Sequence, residues 1–267
     1  PLHQHEFVGG NAYMLQILRV FGEEMEVTVS SAQLQDKQQQ ILEQLQNRTA
    51  SITVNEASLD GSNLVADLSI AVRTGHKFPT GFPSRRAWIH LMVQDASRQT
   101  VFDSGAAASD GSIAGNDNDA DPAAFEPHYT VVDDAAQVQI YEPIMGDTEG
   151  AVTTTLLRGA EYLKDNRLLP AGFDKGAVGP DIAVRGGALE DEDFGGGGDA
   201  IRYVVDVGDA QGPFTITAEL LYQAIGYRWA ENLRGSEGQQ GARFTGYYDR
   251  VVNEPVVIAS DVAEVGE

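Results

Sequence analysis

Residues 74–95, TGHKFPTGFPSRRAWIHLMVQD, hold the most constrained chemistry in the chain. Pro79 and Pro83 restrict the backbone and Gly75 and Gly81 allow sharp turns, so the segment opens as a stiff loop that presents His76, Lys77, Arg85 and Arg86 ahead of a strand. From Arg86 onward the residues alternate, with Trp88, His90 and Met92 on one face and Ile89, Leu91 and Val93 on the other. A strand that is apolar on both faces belongs inside a sheet rather than at its edge, and a histidine in its middle reads as a satisfied core residue.

Around this strand the chain past Ser51 keeps a period of two. SITVNEASL (51–59) and NLVADLSIAVRT (63–74) flank the hairpin dipeptide Asp60-Gly61, and TVFDSG, VQIYEPIM, AVTTTLL, AIRYVVDV, FTITAELLYQAI and PVVIAS follow. Many short strands with few helices between them predict a mainly β chain, a β-sandwich over residues 51–267. Two long insertions interrupt it, 106–127 with GNDNDADP and 168–199 with LEDEDFGGGGD; four successive glycines imply mobility or a tight wrap. YRWAENLR (227–234) reads as a late helix and DVAEVGE (261–267) as a disordered acidic tail.

Residues 1–50 differ in character. Asn11 is a helix N-cap ahead of Met14, Leu15, Leu18 and Phe21, and a second helix over 31–48 carries a stripe of Leu34, Ile41, Leu42 and Leu45. Such a stripe predicts packing against a neighbouring domain or partner, on which residues 1–50 should depend for their order.

Forty acidic side chains stand against eighteen basic ones, fourteen Arg and four Lys, for a net charge of −22. That surface disfavours nucleic acid and anionic lipid and favours cations or basic proteins, although a salt-adapted surface has the same composition. Cysteine is absent, which excludes disulfides, thiolate metal sites and any CxxCH for covalent haem. No apolar run is long enough to span a bilayer. The chain opens on Pro1 without a leader pattern, so its true start is expected to lie upstream.

Asn116, Asp117, Asn118, Asp119 and Asp121 place oxygen ligands close together, and the spacing of the three aspartates resembles the start of an EF-hand loop. Pro122 replaces that loop's glycine and His128 its twelfth-position glutamate, which leaves a non-EF calcium site or a solvated acidic turn. His76 reads equally as a haem or metal ligand and as a residue that hydrogen-bonds within its loop, and His128 is open in the same way. His3 and His5 alternate in an extended stretch and point to opposite sides, so one of them suits a given site. A zinc site of His76, His90 and His128 lacks an HExxH or HxH motif. No GxSxG, P-loop or Rossmann fingerprint occurs, and acid pairs such as Glu190 with Asp191 sit in runs where nothing apolar would raise a pKa. The residues argue against an enzyme.

HxHEFVGGNAYML (3–15), TGHKFPTGFPSRRAWIHLMVQD (74–95), GNDNDADP with EPHY (115–122, 126–129), VQIYEPIMGDTEGAVTTTLL (138–157) and YLKDNRLLPAGFDK (162–175) resemble the C-terminal portion of periplasmic or surface multihaem c-type cytochromes. The resemblance implies a β-sandwich following a CxxCH-rich region that is not in this chain, so that haem c would be held by an upstream region or a partner cytochrome. It further implies that His5, with His3 as a substitute, is a distal axial ligand and that His76 lies at the haem interface, with His128 as a further candidate. On this reading the chain is an electron-transfer or structural module, periplasmic or extracellular, open to oligomerisation. Its rival is a calcium-dependent surface binding module built on Asn116, Asp117, Asp119 and Asp121.

Overall fold

The computed structural model describes residues 8–236 and 238–266, so His3 and His5 lie outside the described residues. Two helices open the chain, α1 (Ala12–Val20) and α2 (Ser31–Arg48), and eleven strands follow. The strands are β1 (Ala50–Asp60), β2 (Asn63–Val72), β3 (Arg86–Gln94), β4 (Thr100–Ser104), β5 (Val131–Val132), β6 (Ile140–Tyr141), β7 (Pro143–Gly146), β8 (Glu161–Asp165), β9 (Gly198–Asp206), β10 (Phe214–Gln223) and β11 (Val256–Val265). Three further helices are α3 (Asp117–Ala120), α4 (Tyr227–Arg234) and α5 (Gln239–Tyr248). None of the described helices is long and apolar enough to cross a membrane.

The mainly β expectation holds. One sheet runs β1-β2-β9-β5 and a second β11-β10-β3-β4, with β6 also paired to β3 and a separate β7-β8 hairpin. Period-two alternation explains why they stack: Leu64, Leu68 and Ile70 of β2 and Ile201, Tyr203 and Val205 of β9 share one buried core with Ile89, Leu91 and Val93 of β3 and Ile216 and Leu220 of β10. Each such side chain removed from water stabilises by about 1.5–3 kcal/mol before conformational entropy is subtracted. β1 closes one side against β11, where the Val54 amide donates to Asp261 Oδ2 at 2.8 Å. Asp60 pairs with Asn63 across a turn in which Gly61 has φ +63°, as the hairpin reading required.

β3 lies inside its sheet, between β10 on one side and β4 and β6 on the other. Its second face is covered along half its length. Trp88 is sealed by Ile113, Val138, Ile140 and Leu221, but His90 lies beyond that patch, half-exposed between cross-strand Glu219 (Nδ1 to Oε2, 3.1 Å) and Asp103 (Nε2 to Oδ1, 2.9 Å). His90 is therefore satisfied, but on the outer face of the sheet and not in the core.

Two other expectations change. AVTTTLL forms no strand; it pairs with the free edge of β7 only through the bridge between Val152 and Gly146, with the Thr153 amide donating to the Met145 carbonyl at 2.9 Å, before the chain turns back at 155–159, and Leu156 and Leu157 are left exposed. The acidic tail is ordered as the end of β11, paired as far as Phe214 with Val265. α5 carries little helix signal in its sequence because Gly241 and Gly246 lower its helix propensity, yet Phe244, Tyr247 and Tyr248 pack with Tyr13 and Ile17 of α1 and Ala230 of α4, and Phe21 stacks on Tyr247 at 4.5 Å. Ile41 and Leu45 of the α2 stripe are buried in the sandwich's own core cluster.

Candidate functional site

The two glycine-bearing segments, VGGN (8–11) and GHKFPTG (75–81), meet in the fold. Asn11 caps α1 by accepting from the Met14 amide at 2.8 Å, and Tyr13 donates its hydroxyl to the Val251 carbonyl at 2.8 Å, which seats the helix and aims Val8–Gly10 along the domain. Tyr222 of β10 then donates to the Gly10 carbonyl at 2.8 Å. On the other side Phe78 pins the 74–85 loop: it is 5 % exposed, its amide and carbonyl pair with Leu168 at 2.8 Å each, and its ring lies 5.6 Å from that of Tyr222. Between the segments lies a cleft of about 570 Å³, within the range of small-molecule and cofactor sites.

Arginine dominates the rim. The Arg73 amide donates to the Thr49 carbonyl at 2.9 Å, which sets Arg73 beside Arg48 at the end of α2. Arg85 donates through Nη1 to the Thr80 carbonyl at 2.7 Å, and its guanidinium is flanked by Gly10 and Gly81, where an added Cβ would approach Nη1 to 3.3 Å in each case. Glycine at both positions lets backbone close on the guanidinium; Gly81 also has φ +83°. Among the described residues Arg48, Arg73 and Arg85 make no ion pair, and no aspartate or glutamate lines the cleft. In a chain with a net charge of −22 this is a pocket of opposite sign. His76 stands exposed at its edge with its ring unbonded among the described residues; only its carbonyl is engaged, by Thr74 Oγ1 at 2.8 Å. Lys77 does not contribute free charge, because its ammonium pairs with Asp165 at 2.8 Å. Burial pushes the Asp165 carboxyl up, but Arg167 and Lys77 together hold it below its ordinary value, and burial pulls the Lys77 ammonium down.

His128 occupies the opposite setting. Its side chain is 1 % exposed, Nε2 meets Asp191 Oδ2 at 2.9 Å, and Nδ1 meets Gln139 Nε2 at 2.9 Å and Asn166 Nδ2 at 3.1 Å. Both amides are oriented by backbone, since Tyr129 N donates to Gln139 Oε1 and Glu142 N to Asn166 Oδ1, so Nδ1 accepts and Nε2 carries the proton. Burial draws the imidazole down to about 4 despite Asp191. Neither ring nitrogen is left for an external haem iron. Nearby, Asp199 accepts from the Tyr141 hydroxyl at 2.6 Å through Oδ2 while Oδ1, like the Tyr203 hydroxyl, is buried without a partner. Burial, joined by Asp191 and Asp193, pushes the Asp199 carboxyl up to about 7. The glycine run delivers these acids by close approach: a Cβ on Gly198 would lie 1.9 Å from the Ile70 carbonyl oxygen, and one on Gly196 2.5 Å from that of Phe173. It is a tight wrap.

Among the described residues the one group of His, Asp and Glu close enough to share an ion is His128, Asp191 and Asp199. It does not fit a metal. A ligating histidine donates its second N–H, whereas Nδ1 here faces two donors. The aspartates of GNDNDADP do not converge. Asn116 caps the short α3, accepting from the Asn118 amide at 3.2 Å, Asp117 and Asp121 are exposed, and the buried Asp119 carboxylate is taken by Arg86 at 2.8 Å and by the Ile113 amide at 2.9 Å. The zinc trio does not assemble either, with His90 on the outer sheet face and His128 buried. No sequence signal marked Asp191 and Asp199 as core residues; the one clue was the glycine run beside them.

No protein-family model matches the chain and no curated protein matches it. In structure it is similar to a penta-heme cytochrome c552 from Thermochromatium tepidum, at 15 % sequence identity and a TM-score of 0.48 over 84 % of this chain. The match covers 41 % of that cytochrome, so this chain spans about two fifths of its length.

Proposed function

We propose that this chain is a module of a multihaem c-type electron-transfer protein, periplasmic or extracellular, that attaches no haem itself and docks its His76 cleft on a haem held by another region or polypeptide. The observation that supports this most is convergence. Val8–Gly10 and residues of GHKFPTG, distant in sequence and both part of the cytochrome resemblance, line one cleft, and an imidazole unbonded among the described residues stands at its edge. Without cysteine the chain cannot hold haem c covalently, but a sixth ligand can come from any segment that presents a neutral imidazole. The loop that carries His76 is already ordered by Phe78, Ser84 and Arg85, so ligation costs little further entropy. His5, with His3 as its substitute, is proposed as a second ligand; the chain reaches the cleft at Val8, three residues beyond His5.

A haem c peptide with one histidine ligand and an open sixth position tests this. Titrated with the protein it should pass from a high-spin to a low-spin spectrum, and His76→Ala should abolish the change while His90→Ala leaves it intact. A low-spin shift that survives in His76→Ala and is lost in His5→Ala would move the ligand to the N-terminal segment; no shift with the unaltered protein overturns the proposal.

A further inference from the structure

We infer that the arginine-lined cleft is a carboxylate-reading site for a flat, two-armed anion, the paired propionates of a porphyrin, with Arg48 and Arg73 on one side and Arg85 on the other. This deepens the proposed function and rests on its reading of the cleft as a haem-facing surface, but the observations behind it are separate from His76. They are the sign of the charge, the residue type and the shape of the wall.

Charge comes first. A chain with forty acids and eighteen bases has little cause to gather three arginines around one acid-free cleft unless the cleft meets an anion, because unpaired like charges in proximity repel. Elsewhere in the fold Arg86 pairs with Asp119, Arg167 with Asp165, Arg202 with Asp67, Arg234 with Glu231 and Asp249, and Arg243 with Glu24, while Arg19, Arg98, Arg158, Arg185, Arg228 and Arg250 make no ion pair among the described residues; what sets the cleft apart is that three unpaired arginines line one acid-free space. The single lysine in the lining is matched too, by Asp165. The cations left over are all guanidinium, the planar fork that grips carboxylate oxygens in pairs.

Shape is the second consideration. The wall between the arginines is formed by Val8, Leu45, Phe78 and Tyr222, with Gly9 and Gly75 where a side chain would otherwise project. An apolar wall suits a macrocycle and not a small hydrated anion, whereas the arginines suit carboxylates. Arg85, which lines the cleft, is preset, held by the Thr80 carbonyl and enclosed by Gly10 and Gly81, so engaging an anion there costs little entropy. Arg48 and Arg73 are exposed and free to close on a second carboxylate.

Iron-free mesoporphyrin, its dimethyl ester and succinate separate the components, with porphyrin fluorescence as the readout. The free diacid should bind at least tenfold more tightly than the ester, this preference should weaken as salt rises, and Arg48→Gln with Arg73→Gln should reduce it, by removing the grip on one of the two carboxylates, at an unchanged melting temperature. His90→Ala, on the outer face of the sheet, should leave iron-free binding unaltered, and a porphyrin without iron has no metal for His76 to ligate, which keeps this test apart from the low-spin assay. Equal affinity for diacid and ester, or a preference undiminished in the double arginine variant, overturns the inference even if His76 ligates iron. Succinate that binds as tightly as the porphyrin diacid, with the same arginine dependence, overturns the planar ligand and leaves a simple dicarboxylate site.

Discussion

His76 follows a glycine and His128 a proline, each in a polar loop, yet the fold gives them opposite fates. The His76 ring is exposed, unbonded among the described residues and set beside unpaired arginines; the His128 ring is enclosed by Asp191, Gln139 and Asn166 with both nitrogens used. The difference is one of partners. A histidine whose neighbours exhaust its hydrogen-bonding capacity holds structure together, and one left unsatisfied at the edge of a cleft is available for chemistry. The two regions also divide the charge: acids are drawn inward around His128 and Arg86, while arginines are gathered outward around His76.

If interior polar groups are structural, the largest loss should come from Asp119→Ala. It strands Arg86, a buried guanidinium that also donates to Gln223 Oε1 and the Gly111 carbonyl, and an uncompensated buried charge costs about 3–5 kcal/mol. Urea unfolding should register that loss; a change under about 1 kcal/mol would show the Asp-rich loop to be dispensable and leave it free for another role.

Next in size is a pH effect specific to the His128 region. The Asp199 carboxyl rises from 3.8 to about 7 on folding, so its contribution is fully present below 3.8 and is lost as pH rises towards 7. The His128 imidazole falls from 6.5 to about 4, so its contribution is present above 6.5 and is lost as pH falls towards 4. Between those limits folding moves one proton from the imidazole to the carboxyl, the bound-proton count is unchanged, and stability should be flat. Each partner removed alone exposes the other. Asp199→Asn should become less stable on acidification from pH 6.5 to 4, by roughly 3 kcal/mol in total at about 1.4 kcal/mol per pH unit. His128→Asn should show the reverse slope, losing stability as pH rises from 4 to 7. Parallel profiles for the two variants would break the contrast.

The smallest effect belongs to the cleft. His76→Ala and Arg73→Gln remove exposed side chains without buried partners and should shift stability by less than about 0.5 kcal/mol in either direction. A loss above about 1.5 kcal/mol for His76→Ala would mean that it organises its own loop, and the distinction from His128 would fail.

How much of this was legible varies by element. The β3 strand was readable because alternation of apolar residues over 86–94 is a local property with one structural solution. Its histidine was not, because whether the Trp88 and His90 face is covered depends on where residues 113, 138, 140 and 221 arrive, and they cover only Trp88. The 189–199 run looked like a solvated acidic stretch, since nothing local says that Asp191 and Asp199 will be drawn against His128 and Tyr141. AVTTTLL had strand composition but pairs with β7 only at Val152 before turning at 155–159, and how far pairing extends is a property of the sheet.

By itself the sequence determined the mainly β class, the hairpin at Gly61, the first two helices and α4, the absence of any covalent haem attachment and the excess of negative charge, because each follows from composition or from spacing within a few residues. Only the tertiary structure decided which histidine is spent and which is available, where the acids of the two insertions go, and that Gly10, Arg48, Arg73, His76 and Arg85 share one cleft. Burial, hydrogen-bond satisfaction and local charge are set by residues far apart in the chain, and they come into existence only once the two sheets and the N-terminal helices have packed.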